Sequence, residues 1–342
     1  MGMLNTEKEG FMVRSVVRGI GSYVPPKVVS NEDLSALMST SDEWIRSRSG
    51  IRERRFAEEG VYCTDLALEA VRRALGDADM EPSDLDFIIF ATLSPDHHFP
   101  GNACYLQAKM GISDIGCLDV RNQCTGFLYS LAVADSFIRT GMYRNILVVG
   151  SEVHSSAMDF SDRGRDVAVL FGDGAGAVIL SPSENGDRGV LYTELHADGQ
   201  YARALYMDVW DISRKPFLGP EAVQSDVIWP KMDGKTVFKH AVIRLIQVFQ
   251  SALKKSGVRP EDIKYVIPHQ ANMRINHLVA EKIGIPPEKF LHNMQKYGNT
   301  TAASLPLLLD ETYRAGKLEK GDLLLLLAFG SGFTWGASLL RW

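Results

Sequence analysis

The 342-residue chain has only four cysteines, Cys63, Cys104, Cys117 and Cys124, with no CxxC pair and no regular spacing. A disulfide framework is thereby excluded, and His97 and His98 near Cys104 match no zinc spacing, so no metal is expected. Basic residues are not in excess: 37 Lys and Arg stand against 42 Asp and Glu, a formal net charge of -5, and they are scattered rather than blocked. Nucleic acid therefore has no electrostatic footprint here. Long apolar runs are missing too. The longest, Leu323 to Phe329, is far too short to cross a bilayer, and Met1 to Met12 is charged without the apolar core of a signal peptide. A cytoplasmic globular protein with no membrane contact is expected, residues 1–12 being a flexible leader.

What is present is enough apolar material, 45% of residues, for more than one core. The chain also repeats itself. "ALGDADMEPSDLDFIIF" from Ala74 lines up without a gap on "ALKKSGVRPEDIKYVIP" from Ala252, each a helix, a Pro-x-Asp turn and an apolar strand. "RNILVVGSE" from Arg144 matches "GDLLLLLAFGSG" from Gly321, and Gly176–Leu180 echoes Gly336–Leu340. Strands apolar on both faces, alternating with amphipathic helices, predict sheets covered by helices on both sides. The expected fold is α/β, a five-layered αβαβα body made of two duplicated halves, 13–183 and 184–342, with the seam in the polar stretch Ser181–Gly189. The segment His196–Asp233 has no clear period and reads as an excursion over the surface or the site.

Active sites of α/β layers collect at the carboxyl ends of strands. Cys124 stands between the apolar run Cys117–Val120 and a helical pattern formed by Phe127, Leu128, Leu131, Ala134, Phe137 and Ile138. A helix N-terminus there favours a thiolate, the reactive form of cysteine, although free cysteine is also a common inert core residue. His269 follows the strand Tyr265–Ile267, where an imidazole can be aimed into a cleft or serve structure alone. Asn299 stands where a Gly-containing turn opens a helix, a place it can occupy as an N-cap. The duplication can bring all three to one centre, and Cys, His and Asn together suit acyl chemistry: a nucleophile and two neutral donors for an oxyanion.

The stretches "GIGSYVPPKVVSNEDL", "TSDEWIRSRSGIRERR", "DRGRDVAVLFGDGAGA", "PHQANMRI", "YGNTTAAS" and "FGSGFTWGASLLRW" occur in that order. From about Val13 to Trp342 the chain resembles the β-ketoacyl-acyl-carrier-protein synthase III family, the initiating condensing enzymes of type II fatty acid synthesis in the thiolase-like superfamily. The resemblance implies that Cys124 carries the acyl group while His269 and Asn299 hold the malonyl thioester carbonyl. It implies a backbone oxyanion hole from Cys124 and Ser331, Trp44 stacking on the adenine of coenzyme A, and Arg48 and Arg163 near its phosphates. It places Phe99, across a homodimer interface, and Phe329 at the acyl pocket, and Lys239 and Arg274 where an acidic acyl carrier protein docks. The implied reaction condenses an acyl-CoA starter with malonyl-acyl-carrier protein and needs no cofactor.

The sequence departs from the family pattern in three places. Ser331 replaces the usual glycine, which leaves its backbone donor intact. Arg121-Asn122-Gln123 is bulkier and more polar than the usual small residues before the nucleophile, so an altered pocket wall is expected. The excursion after His196 is longer by roughly a dozen residues, beyond ordinary connection lengths. Phe99 favours a short starter such as acetyl, whereas the longer loop favours a medium-chain or unusual starter from a specialised pathway. A biosynthetic thiolase would need a second cysteine near Gly330-Ser331-Gly332, where there is none. A non-condensing acyl-CoA hydrolase or binding protein has no use for Cys124, His269 and Asn299 together.

Overall fold

A computed structural model describes residues 13–183 and 186–342. The expected leader, 1–12, and two residues of the expected seam lie outside the described residues. The first sheet is built from β1 (Ser15–Tyr23), β2 (Phe87–Ala91), β3 (Gly116–Val120), β4 (Ile146–Glu152) and β5 (Gly174–Pro182), in the spatial order β1-β5-β4-β2-β3. The second contains β6 (Gly189–Ala197), β7 (Ile263–Pro268), β8 (Leu323–Gly330) and β9 (Thr334–Arg341), in the order β7-β8-β9-β6. The topology repeats. In each sheet a central strand, β4 or β8, pairs in parallel with the strand of the matched helix-turn-strand unit and antiparallel with the strand that follows it. Among the described residues, the β3 position has as its second-sheet counterpart only the isolated parallel bridge Val266–Phe290.

Helices fill three layers around these sheets. Along β2, Ile88 and Phe90 face one side and Phe87 and Ile89 the other, and all are buried, as a strand covered on both faces requires. Helix α1 (Cys63–Ala78) covers the outer face of the first sheet with Leu66, Ala70, Val71 and Ala74. Helix α2 (Gly126–Arg139) lies between the sheets, ending near Gly141 as the sequence suggested. Helices α3 (Gly234–Ser256) and α4 (Met273–Ile283) cover the outer face of the second sheet. The buried face of α3, Ala241, Leu245, Val248, Phe249 and Ala252, repeats at helical spacing. Helix α5 (Ser304–Arg314) joins α2 in the middle layer, where Phe127, Leu131, Leu305 and Leu308 meet Ile89, Val148 and Leu326.

The segment after His196 is less irregular than expected. His196 and Ala197 still belong to β6, and a two-stranded ribbon, Leu205–Tyr206 with Lys231–Met232, closes the base of the excursion. Beyond that ribbon, Trp210 stacks on His98 with ring centroids 4.4 Å apart, and Ile212 and Leu218 are exposed.

Phe127 is fully buried in the middle layer. Phe127→Ala is therefore expected to cost about 3–5 kcal/mol, read as a lower urea midpoint at unchanged slope. A loss below about 1 kcal/mol would show that the middle layer is not the main core.

Candidate active site

The first candidate sits at the end of β3. The chain leaves that strand, turns through Gln123 with φ of 47°, and enters a 3-10 turn, Gln123–Thr125, that runs into α2. Thr125 ties this turn to the second half through its hydroxyl, 2.8 Å from that of Thr334. Behind the nucleophile position the backbone of Gly330 comes so close that a Cβ there would lie 3.0 Å from the Cys124 Cβ. Any larger residue would have to push Cys124 aside by a few tenths of an ångström. The N–H groups of Ser331 and of Cys124 itself favour the charged form of the Cys124 sulfur. The Ser331 hydroxyl donates away from the site, to the Leu205 carbonyl.

The sulfur is not a resting thiolate. Burial pushes the Cys124 thiol up to about 12, with the nearby Glu152 carboxylate adding to the shift, and together these outweigh the two backbone N–H groups and the Thr301 hydroxyl. The expectation from the helix N-terminus is corrected here, because desolvation acts against the dipole and is the larger effect.

His269 follows β7. Its N–H donates to the Leu327 carbonyl at 2.7 Å, prolonging the pairing with β8, and its Nδ1 lies 2.6 Å from the Ser304 hydroxyl. Its Nε2 is buried with no protein partner. Burial lowers its pKa to about 3, so the ring is neutral at ordinary pH.

Asn299 is held between segments of both halves. Its N–H donates to the Leu170 carbonyl at 2.8 Å, and its own carbonyl accepts from the Gly172 N–H at 3.1 Å. Its Oδ1 accepts from the Thr301 N–H at 2.9 Å. This bond is not the N-cap suggested by the sequence, because the turn Thr301–Ala303 is preceded by Thr300 at its cap position and α5 by Ala303, and it leaves the amide Nδ2 available.

Cys124, His269 and Asn299 all line one cavity of about 730 Å³. All three are buried, whereas Arg48, Lys235 and Arg274, on the same cavity, are exposed. Trp44 also lines it, on the helix Asp42–Ser49, with the Arg48 guanidinium 4.5 Å from its ring centroid. Leu205, Met232, Leu245, Phe329 and Phe333 form an apolar wall. The ends of the long excursion therefore belong to the cavity.

Some expected residues lie elsewhere. Arg163 does not line the cavity: Asp159, four residues earlier and buried, takes its Nε at 2.6 Å. A second arginine over the Trp44 ring besides Arg48, 5.0 Å from its centroid, is Arg165, which does not line the cavity either. Phe99 is 79% exposed and does not line this cavity within its own chain. Lys239 is exposed on α3, one turn beyond Lys235, and Arg274 lies 5.5 Å from the Phe238 ring. None of Arg121, Asn122 and Gln123 forms part of the wall, contrary to the altered wall expected from their bulk. Among the described residues no group of three or more His, Cys, Asp and Glu is placed to hold a metal ion, and no helix is long and apolar enough to cross a membrane.

The chain matches the family model for 3-oxoacyl-[acyl-carrier-protein (ACP)] synthase III over residues 118–199 and that for the C-terminal part of the same enzymes over 253–342. It is 47% identical to the beta-ketoacyl-[acyl-carrier-protein] synthase III of Rhizorhabdus wittichii, over 97% of this chain and all of that one. The chain belongs to the 3-oxoacyl-[acyl-carrier-protein] synthase III family. A second relative in this family, from Caldanaerobacter subterraneus subsp. tengcongensis, is 44% identical over 95% of this chain and 97% of its own. The crystal structure of the Aquifex aeolicus synthase III superposes with a TM-score of 0.88 at 43% identity, covering 96% of this chain and all of that one.

The neutrality of the buried rings is directly measurable. An ordinary histidine charges near about 6.5, whereas burial lowers His154 and His269 to about 3. Between those values the unfolded chain binds protons that the folded chain refuses. The stability contributed by these rings is therefore complete above about pH 6.5 and is lost as the pH falls toward 3. Glu152, raised by burial to about 7, acts in the opposite sense, as one group against three, since burial also lowers His292 to about 4. NMR of the imidazole nitrogens at about pH 5 should show both rings neutral, with a urea midpoint lower than at about pH 7. A charged His269 at that pH would remove the neutral donor from the site.

Proposed function

We propose that the chain joins an acyl-CoA starter to malonyl-acyl-carrier protein by decarboxylative Claisen condensation, initiating fatty acid synthesis, with Cys124 as the acylated residue. The convergence of a buried thiol, an unpartnered His269 Nε2 and an available Asn299 amide on one cavity supports this reading most strongly. In the first half-reaction the Cys124 sulfur attacks the acyl-CoA carbonyl, and the thiol proton leaves with the departing coenzyme A sulfur. The oxyanion that forms on the way is met by the N–H groups of Cys124 and Ser331. In the second, with the Ser304 hydroxyl donating to His269 Nδ1, the Nε2 carries a proton to donate. Together with Asn299 Nδ2 it holds the malonyl thioester oxygen as CO2 departs, and the enolate carbon attacks the acyl-Cys124 carbonyl; the carbon–sulfur bond to Cys124 then breaks, and the released sulfur takes a proton from solvent to return to the thiol. The product is a β-ketoacyl chain on the carrier, and the cycle is of ping-pong type.

The Trp44 ring, with Arg48 and Arg165 beside it, suits an adenine and phosphates at the exposed end of the cavity. Arg165 takes the role first read at Arg163. Arg274 and Lys235 at the exposed end, with Lys239 one turn along, form a basic patch suited to an acidic carrier protein. The open edge of β3 and the exposed Phe99 support a homodimer in which Phe99 enters the partner's site. The two sheets, drawn separately from 15–182 and 189–341, support a division into halves near residue 183. Four free thiols are in keeping with the cytoplasm, and the chemistry requires no metal or other cofactor. A medium-chain or unusual starter is the second reading, favoured by the apolar wall to which both ends of the excursion contribute.

Intact-protein mass spectrometry with acyl-CoAs of increasing length should reveal adducts that Cys124→Ala abolishes, and the preferred length separates the two starters. His269→Ala and Asn299→Ala should still acylate but release no CO2 from malonyl-acyl-carrier protein; normal condensation by either would overturn their roles. Arg165→Ala should raise KM for acyl-CoA about tenfold with little change in kcat, and Arg163→Ala should change it far less. Equal effects of the two substitutions would remove Arg165 from the coenzyme A site.

A further inference from the structure

The proposed condensation uses the backbone N–H of Ser331 and not its hydroxyl. That hydroxyl donates to the carbonyl of Leu205, the first residue of the ribbon at the base of the excursion. Ser331, Leu205 and Met232, which pairs with Leu205 across the ribbon, all line the cavity. The bond therefore joins the turn after β8 to the apolar wall. Phe333, also in that wall, is secured differently. Its N–H donates to the Asp198 carbonyl at 3.0 Å, its carbonyl accepts from the Asp198 N–H at 2.7 Å, and its ring stacks on Tyr201 with centroids 5.2 Å apart and planes 12° apart. Phe333 is buried and backed by packed protein, whereas Leu205 is half-buried on a ribbon of two residues per strand. An isolated two-stranded ribbon is only marginally stable, so Leu205 is the part of the wall that can yield.

We propose that Ser331 is a positioning residue that limits starter length: its hydroxyl latches Leu205 against the site, and a long acyl chain enters only by breaking that bond. The inference rests on the reading of this cavity as the acyl site of Cys124. An acetyl group leaves the wall where it stands. A longer chain has to displace Leu205, whose carbonyl then loses the Ser331 proton, so the cost of one hydrogen bond falls on the long starter alone. Discrimination arises from that difference. Glycine, usual at this position in the family, would offer the same backbone N–H to an oxyanion but could not hold the wall. The latch is thus a property of the serine in this chain, and it acts through Leu205 rather than on the reacting atoms.

The test compares second-order rate constants of acyl-Cys124 formation from octanoyl-CoA and from acetyl-CoA, and reads their ratio. Ser331→Ala should raise the octanoyl-to-acetyl ratio about fivefold, the effect of one net hydrogen bond. Ser331→Thr keeps the hydroxyl and should stay near the wild-type ratio. Leu205→Ala should also raise the ratio, and Ser331→Ala added to it should contribute less than about twofold more, because the two act through one contact. A merely structural role would slow both starters alike. An unmoved ratio in Ser331→Ala would therefore overturn the proposal, as would fully multiplicative gains in the double variant. If Ser331→Ala does not fold, Ser331→Gly decides it in the same way. Binding of S-octyl- and S-ethyl-coenzyme A, thioethers that cannot acylate, reads the wall without any acyl transfer, and the ratio of their dissociation constants should shift as the rates do. A wild type that forms no acyl-Cys124 counts against the proposed function, whereas an unmoved thioether ratio in Ser331→Ala counts against the latch.

Discussion

The site depends on the contact between the end of β4 in the first sheet and the turn after Asn299 in the second half. At Gly150 an added Cβ would lie 2.4 Å from the Ala302 carbonyl oxygen, so strand and turn meet backbone to backbone. Two residues on, the buried Glu152 accepts from the Ala302 N–H at 3.4 Å, and His154 meets the Thr301 hydroxyl. One short stretch of the first half thus sets the position of the turn on which the Asn299 amide and the start of α5 both rest. Ser304, the first residue of α5, in turn meets His269. A displacement of β4 would move Asn299 and His269 together relative to Cys124.

The duplicated topology makes this contact possible. Each half presents the carboxyl end of its central strand, β4 or β8, to the other half. The turn after β8 supplies Gly330 and Ser331 behind Cys124, and the end of β4 supplies Gly150, Glu152 and His154 behind Asn299. The matched dipeptides Gly150-Ser151 and Gly330-Ser331 therefore do related work. In both, a glycine at a strand end admits the backbone of the opposite half, against Ala302 in one case and Cys124 in the other.

Legibility in the sequence followed physical range. The repeat, the strands and the positions of Cys124, His269 and Asn299 could be read because each is a local pattern: an apolar run, a polar residue at its end, a helix beginning beyond. The charge state of Cys124 could not, since a helix N-terminus and burial act on a thiol in opposite senses and only coordinates reveal the burial. The contact of Arg165 with the Trp44 ring could not be read, although its motif had been singled out. That motif contains two arginines, and what diverts the first is Asp159, outside it. Thr301 and His154 left no local signal, being 147 residues apart, and a β-branched residue is not expected at positive φ. The excursion was opaque for another reason. Its regular parts are a ribbon of two residues per strand, a five-residue helix and two 3-10 stretches, all too short for any period to register.

The electrostatics of the cavity explain why its reacting groups are all neutral at rest. A buried thiolate or imidazolium would have to be stabilised continuously, and the site has no excess of fixed charge to do so: burial pushes Cys124 up and His269 down, each toward its uncharged form. What is fixed instead is a set of donors, the N–H groups of Cys124 and Ser331, the Asn299 amide and one His269 nitrogen, held in place by bonds made elsewhere in the fold. Such donors gain most when negative charge appears on an oxygen between them, and little from an uncharged thioester. The same burial that makes the free thiol a poor nucleophile therefore increases the effect of each donor once charge develops, because little water competes for it. Under the proposed role of Cys124, its reactivity is conditional on the substrate, whose carbonyl oxygen receives the charge and whose departing sulfur takes the proton.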